Sequence, residues 1–147
     1  MRRWEAWWNH AALAAVSLSG LAYGVLKYFV PSPDPDSRAG HPLQPIALKA
    51  HVLAAPLAVF GIGLLVRRHA LLKLRQGEQA GRRSGAILLW LFAPLVMTGY
   101  LIQVLVGSGA ARATGWSHAA LGVLFLLGYL LHPKSKPQAG YSQRIDD

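Results

Sequence analysis

The chain is expected to be an all-α integral membrane protein, a bundle of four transmembrane helices with both termini in the cytoplasm. Three observations lead there. Of 147 residues, 53% are hydrophobic and only 14% charged, with a mean hydropathy of +0.31, a balance soluble domains rarely show. The apolar residues gather into four stretches at about 11–30, 46–66, 84–107 and 114–131, each near the roughly 20 residues a helix needs to cross a bilayer. The basic residues collect in alternate connections, as they do in multi-pass proteins. One membrane domain over 1–147 is expected, ending in a polar tail at 133–147.

The first span follows Arg2, Arg3 and the aromatic residues Trp4, Trp7 and Trp8, which suit an inner-interface anchor. No small-x-small cleavage site follows its long apolar run, so it reads as an uncleaved span rather than a secretory signal. In PSPDPDSRAGHPLQP, Pro31, Pro33 and Pro35 prevent helix and Pro45 marks the next helix start. This is the longest external loop, and His41 within it is expected to face solvent. The second span leads into the basic inner connection RRHALLKLRQGEQAGRR. The third carries Trp90, Pro94, Thr98, Tyr100 and Gln103. Pro94 is expected to kink it, which membrane helices tolerate, and Gln103 to bond a neighbouring helix in preference to a haem propionate. GSGAARATG then forms a short external turn before the fourth span.

Arg2, Arg3, Arg67, Arg68, Lys73, Arg75, Arg82, Arg83, Lys134, Lys136 and Arg144 all fall on one side of this arrangement, against Lys27, Arg38, Lys49 and Arg112 on the other. The positive-inside rule makes the richer side cytoplasmic, and the expected location is a bacterial inner membrane. The same distribution argues against nucleic acid as the reason for the net charge of +9, because no aromatic-studded basic patch exists. The chain has no cysteine, which excludes thioether-attached haem, cysteine-held iron–sulfur clusters and disulfides. The spans lack the intramembrane carboxylates of an ion pathway, with Glu5 and Glu78 expected outside the core. Any bound metal must rest on histidine.

In this topology the histidines fall at two depths. His51 and His118 lie near the outer surface, and His10, His69 and His132 near the inner one. His118 and His132 are fourteen residues apart, which is a rise of about 21 Å and a rotation that brings the second ring to within roughly 40° of the first. Both point into one interior, at a spacing that suits two stacked haems. Haem b has no covalent tether and needs two neutral imidazoles and a slot between helices. Small residues make such a slot: Gly122 and Gly128 beside Phe125 and Tyr129 on the His118 face, Ala54, Ala55 and Ala58 on the His51 face, and Ala14, Ser17, Gly20 and Gly24 on the first span. Each feature alone has a plainer account, since small residues serve close helix packing and a single interfacial histidine often bonds a neighbouring helix. Histidines matched in depth at two levels favour haem.

The order His10, His51, His118, His132 and the fourteen-residue step between the last two resemble the four-helix di-haem cytochrome b subunits of membrane-bound formate dehydrogenases and nickel–iron hydrogenases. The resemblance covers nearly the whole chain. It implies His51 and His118 as axial ligands of an outer haem iron, and His10 and His132 as those of an inner one. His69 departs from the pattern as an alternative inner ligand or a quinone or propionate contact. Arg67 and Arg68 are possible propionate contacts, although basic residues are expected at a cytoplasmic helix end anyway. The resemblance further implies a quinone site on the inner side, lined by Asn9, His10, His69 and Trp90.

The function expected is electron transfer across the membrane between membrane quinone and a periplasmic redox protein, whether cytochrome, flavoprotein or metalloenzyme, without substrate chemistry of the chain's own. A single outer haem on His51 and His118 is the near alternative. A cofactor-free membrane scaffold or assembly protein, its basic inner loop binding anionic lipid or a partner, is the distant one.

Overall fold

A computed structural model describes residues 3–33, 40–67 and 82–132. It contains four helices among them: α1 Arg3–Tyr28, α2 Gln44–Leu65, α3 Arg82–Val104 and α4 Gly109–Leu131. Each is long and apolar enough to cross a membrane. The shortest has 22 residues, or about 33 Å of helix against a hydrocarbon core of about 30 Å.

The helices extend beyond their hydropathic centres. α1 begins at Arg3 rather than near residue 11, because hydropathy marks what lipid tolerates whereas the backbone continues through Trp4–His10, with Glu5 in the first turn where the helix dipole favours an anion. α4 also starts early. The stretch expected as a nine-residue turn is mostly helix: Gly107 takes φ +82, a left-handed conformation that suits glycine, and Ser108 caps α4 by accepting a hydrogen bond from the Ala111 amide at 3.3 Å. α2 and α3 run unbroken through Pro56 and Pro94. Before α2, the Leu43 amide donates to His41 Nδ1 at 3.2 Å and the Gln44 amide to the His41 carbonyl at 2.9 Å. His41 is thus half-buried and organises the helix start, rather than facing solvent freely.

The chain divides into two compact units, Met1–Gln76 and Gly77–Asp147. In the first, α1 packs antiparallel on α2, with Gly20 against His51 and Asn9 against Gly61. Among the described residues, Glu5, Asn9, Ala12 and Leu13 of α1 and Ala58, Gly61 and Ile62 of α2 are its buried ones. Glu5, in the first turn of α1, is only 4% exposed. The steps of three and four between these positions keep one face turned to the partner helix.

In the second unit α3 packs on α4 along a matching antiparallel series. Gly99 meets His118, Leu95 meets Gly122, Leu88 meets Gly128 and Gly85 meets His132. Phe92 and buried Phe125 pack with ring centroids 5.8 Å apart and planes tilted by 40°. Much of the remaining apolar surface faces outward, Trp90 and Leu131 being 81% exposed. Lipid tails satisfy such a surface, and close backbone approach at small residues holds helices together in lipid.

Candidate histidine sites

His51 rises from the second turn of α2 and lies across α1 at Gly20. A Cβ built on Gly20 would stand 2.8 Å from both Cε1 and Nδ1 of the ring, so the site exists only because residue 20 has no side chain. Gly20 and Val16 are four residues apart and therefore stacked on one helix face. A ring lying on Gly20 reaches the Val16 carbonyl, and His51 Nδ1 stands 2.8 Å from that oxygen. A carbonyl only accepts, so Nδ1 carries the proton and, in the neutral ring, Nε2 carries the lone pair. Ser19 sits beside this contact, donating to the Ala15 carbonyl at 2.6 Å and lying 3.1 Å from that of Val16.

His118 repeats this arrangement in the other unit. Its ring lies against Gly99, where a Cβ would come within 3.1 Å of Cε1. Its Nδ1 is 3.1 Å from the Leu95 carbonyl, again four residues before the glycine, and 3.1 Å from Thr98 Oγ1. Thr98 directs its hydroxyl toward the carbonyls of Pro94 at 2.8 Å and Leu95 at 3.0 Å, which leaves an oxygen lone pair to accept from Nδ1. The same tautomer follows.

His132 closes α4 as its C-cap, in extended conformation. Its Nδ1 is 2.9 Å from Ser84 Oγ, and Gly85 lies beneath the ring, with a built Cβ 3.7 Å from Cε1. The half-buried rings of His51, His118 and His132 thus each meet a hydroxyl–glycine dipeptide on the partner helix: Ser19–Gly20, Thr98–Gly99 and Ser84–Gly85. On α3 the two dipeptides are fourteen residues apart, matching the step between His118 and His132.

The other expected site residues fall differently. His10 is exposed, while Asn9, one position and about 100° round the helix, is 4% exposed and packs on Gly61. Asn9 also donates to the Glu5 carbonyl at 2.9 Å. The α1 face turned to α2 therefore runs through Asn9, Val16 and Gly20 rather than through the His10, Ala14 and Ser17 stripe, and Gly24 has no neighbour within 4 Å of a built Cβ. Arg67 is exposed at the end of the α2 segment. Arg68 and His69 lie outside the described residues. Gln103 donates to the Gly99 carbonyl of its own helix at 3.3 Å, not to a neighbour. Beside Gly122 and Gly128 lie the Leu95 and Leu88 side chains, 3.8 and 3.0 Å from where a Cβ on each glycine would stand.

The donor chemistry of three histidines fits a haem. Axial ligation takes one imidazole per side of the iron, and a ligating histidine donates its other ring nitrogen to a carbonyl or similar acceptor, which fixes the tautomer and the ring orientation. His51 and His118 already have that second bond to backbone oxygen, and His132 has a hydroxyl partner. Among the described residues no three of histidine, cysteine, aspartate and glutamate converge as a metal site. Haem does not need such a cluster, because the macrocycle supplies the remaining nitrogens.

Four apolar spanning helices with histidines docked inside their hairpins define the class: a multi-pass α-helical membrane protein. Compared with protein-family models, curated proteins and solved structures, the chain matches none.

Proposed function

We propose that this protein is a b-type cytochrome of the bacterial inner membrane, with both termini cytoplasmic, that carries electrons between membrane quinone and a redox protein at the outer face. The observation that carries this reading is the state of His51 and His118. Each is a half-buried imidazole in an apolar helix pair with Nδ1 bonded to a main-chain carbonyl, so that Nε2 is the ligating nitrogen. Polar rings inside a membrane are costly and usually serve a purpose. A scaffold role requires only that the rings be satisfied, and either tautomer would serve it.

In this reading His51 and His118 hold the outer haem iron, and His10 and His132 the inner one. The haem supplies reversible one-electron chemistry without an open iron position. The residues of the chain would hold the rings and, at His51 and His118, keep Nδ1 protonated on a main-chain carbonyl so that Nε2 presents its lone pair. Arg67 and Arg68 would meet propionates, and His10, His69 and Trp90 a quinone headgroup, whereas Asn9 is taken up by packing on Gly61. The fourteen-residue step between His118 and His132 separates the two levels by about 21 Å of helix.

The test is a reduced-minus-oxidised spectrum of the detergent-purified full chain, with haem counted per chain by pyridine haemochrome. About two b haems are expected. His118→Ala should remove one and His132→Ala the other, with distinct spectral components lost. One haem, lost with His118→Ala alone, would leave only the outer site. Colourless protein expressed with ample haem would overturn the cytochrome reading in favour of a scaffold.

A further inference from the structure

The three hydroxyl–glycine dipeptides form a second pattern around the histidines. Ser19, Thr98 and Ser84 carry no charge and lie on helices that contribute no ligand at those levels, so nothing in the haem reading needs them. Yet each stands beside a histidine, followed by the glycine on which that histidine rests.

The geometry points to Thr98 and Ser84 as positioning residues that set the electronic character of His118 and His132 as metal ligands, an inference that rests on the haem reading above. The helix makes the device. A hydroxyl residue in a helix turns its O–H back to the carbonyl four residues earlier, as Thr98 does to Pro94 at 2.8 Å. With its proton committed, the oxygen can only accept. The glycine that follows removes the Cβ that would hold an incoming ring away, and the imidazole settles with Nδ1 on the hydroxyl oxygen and on the carbonyl one turn below. His118 has both acceptors, Thr98 Oγ1 and the Leu95 carbonyl, each at 3.1 Å. His132 meets Ser84 Oγ at 2.9 Å. His51 uses the Val16 carbonyl at 2.8 Å, while the neighbouring Ser19 hydroxyl is turned to Ala15 and Val16.

An acceptor at Nδ1–H draws the ring toward imidazolate character and makes Nε2 more basic. A more basic ligand stabilises ferric over ferrous iron and lowers the midpoint potential. The Thr98 hydroxyl therefore tunes the haem of His118, and the Ser84 oxygen, where it accepts from His132 Nδ1, tunes the haem at the other level.

The experiment is a potentiometric titration of the purified full chain, with haem content measured alongside, for the parent, Thr98→Val, Thr98→Ser and Ser84→Ala. Valine has the shape of threonine without the acceptor, so packing on Gly99 is kept. Expected for Thr98→Val is a full haem complement with one midpoint raised and the other unmoved, and for Thr98→Ser a return to the parent value. Ser84→Ala should raise the other midpoint. Loss of one haem in Thr98→Val, restored in Thr98→Ser, would also support the assignment. Haem-loaded variants whose two midpoints equal the parent's would overturn the role of the hydroxyls and leave the cytochrome standing. A colourless parent would remove both.

Discussion

At Gly20, Gly99 and Gly85 the distance to the ring decides the effect of adding one methyl group. An alanine Cβ would stand 2.8 Å from the His51 ring, 3.1 Å from that of His118 and 3.7 Å from that of His132. Alanine favours a helix over glycine by about 0.5–1 kcal/mol, and overpacking costs about 1–3 kcal/mol. At Gly20 the steric cost wins, because the ring is also tied to the Val16 carbonyl. At Gly99 the two effects come close to cancelling, and at Gly85 only the helix gain remains. Thermal unfolding in detergent should rank the variants Gly20→Ala below Gly99→Ala below Gly85→Ala, the last at or above the parent. A Gly20→Ala variant as stable as the parent would show that the His51 ring moves freely. None of this ranking is legible in the sequence. Five Ser/Thr–Gly dipeptides occur in the chain, and Thr114–Gly115 has the same back-bond, to Ala110 at 2.9 Å, with nothing near its glycine.

At the scale of the element, the hairpin α3–α4 depends on a short turn rather than a loop. Gly107 supplies the left-handed residue, and Ser108 both donates to the Leu105 carbonyl at 2.7 Å and accepts from the Ala111 amide. Removing such a cap costs about 0.5–2 kcal/mol. Ser108→Ala should lower hairpin stability by that amount in a denaturant titration while leaving His118, ten residues further along α4, in place. If His118 binds haem as proposed, loss of that haem in a folded Ser108→Ala protein would show instead that the cap sets the register of the helix. The spans themselves were legible because lipid demands a continuous apolar run, and their centres agree with the helices formed. Their ends were not. Arg3–His10 and Gly109–Ala113 are helical for reasons of backbone and capping to which hydropathy is blind.

At the scale of the whole molecule, eleven basic residues in the termini and the 67–83 connection against four in or beside the other connections are the topology signal, and the proposed orientation rests on the cost of moving lysine and arginine across the membrane. An alkaline phosphatase fusion after residue 147 should be inactive, and one inserted in the 34–39 stretch active, in bacterial cells; the reverse pattern would invert the depth assigned to every histidine. Four apolar spans, the absence of cysteine chemistry and the histidine spacing were all readable along the chain, because each depends on composition or on the fixed rise and rotation of a helix. Which face of α1 meets α2, and hence that Asn9 rather than His10 packs on Gly61, emerged only from the packed hairpin. So did the partners of each imidazole. Those depend on distances between residues 20 and 51, or 84 and 132, and no periodicity within one helix encodes where a neighbouring helix lacks a side chain.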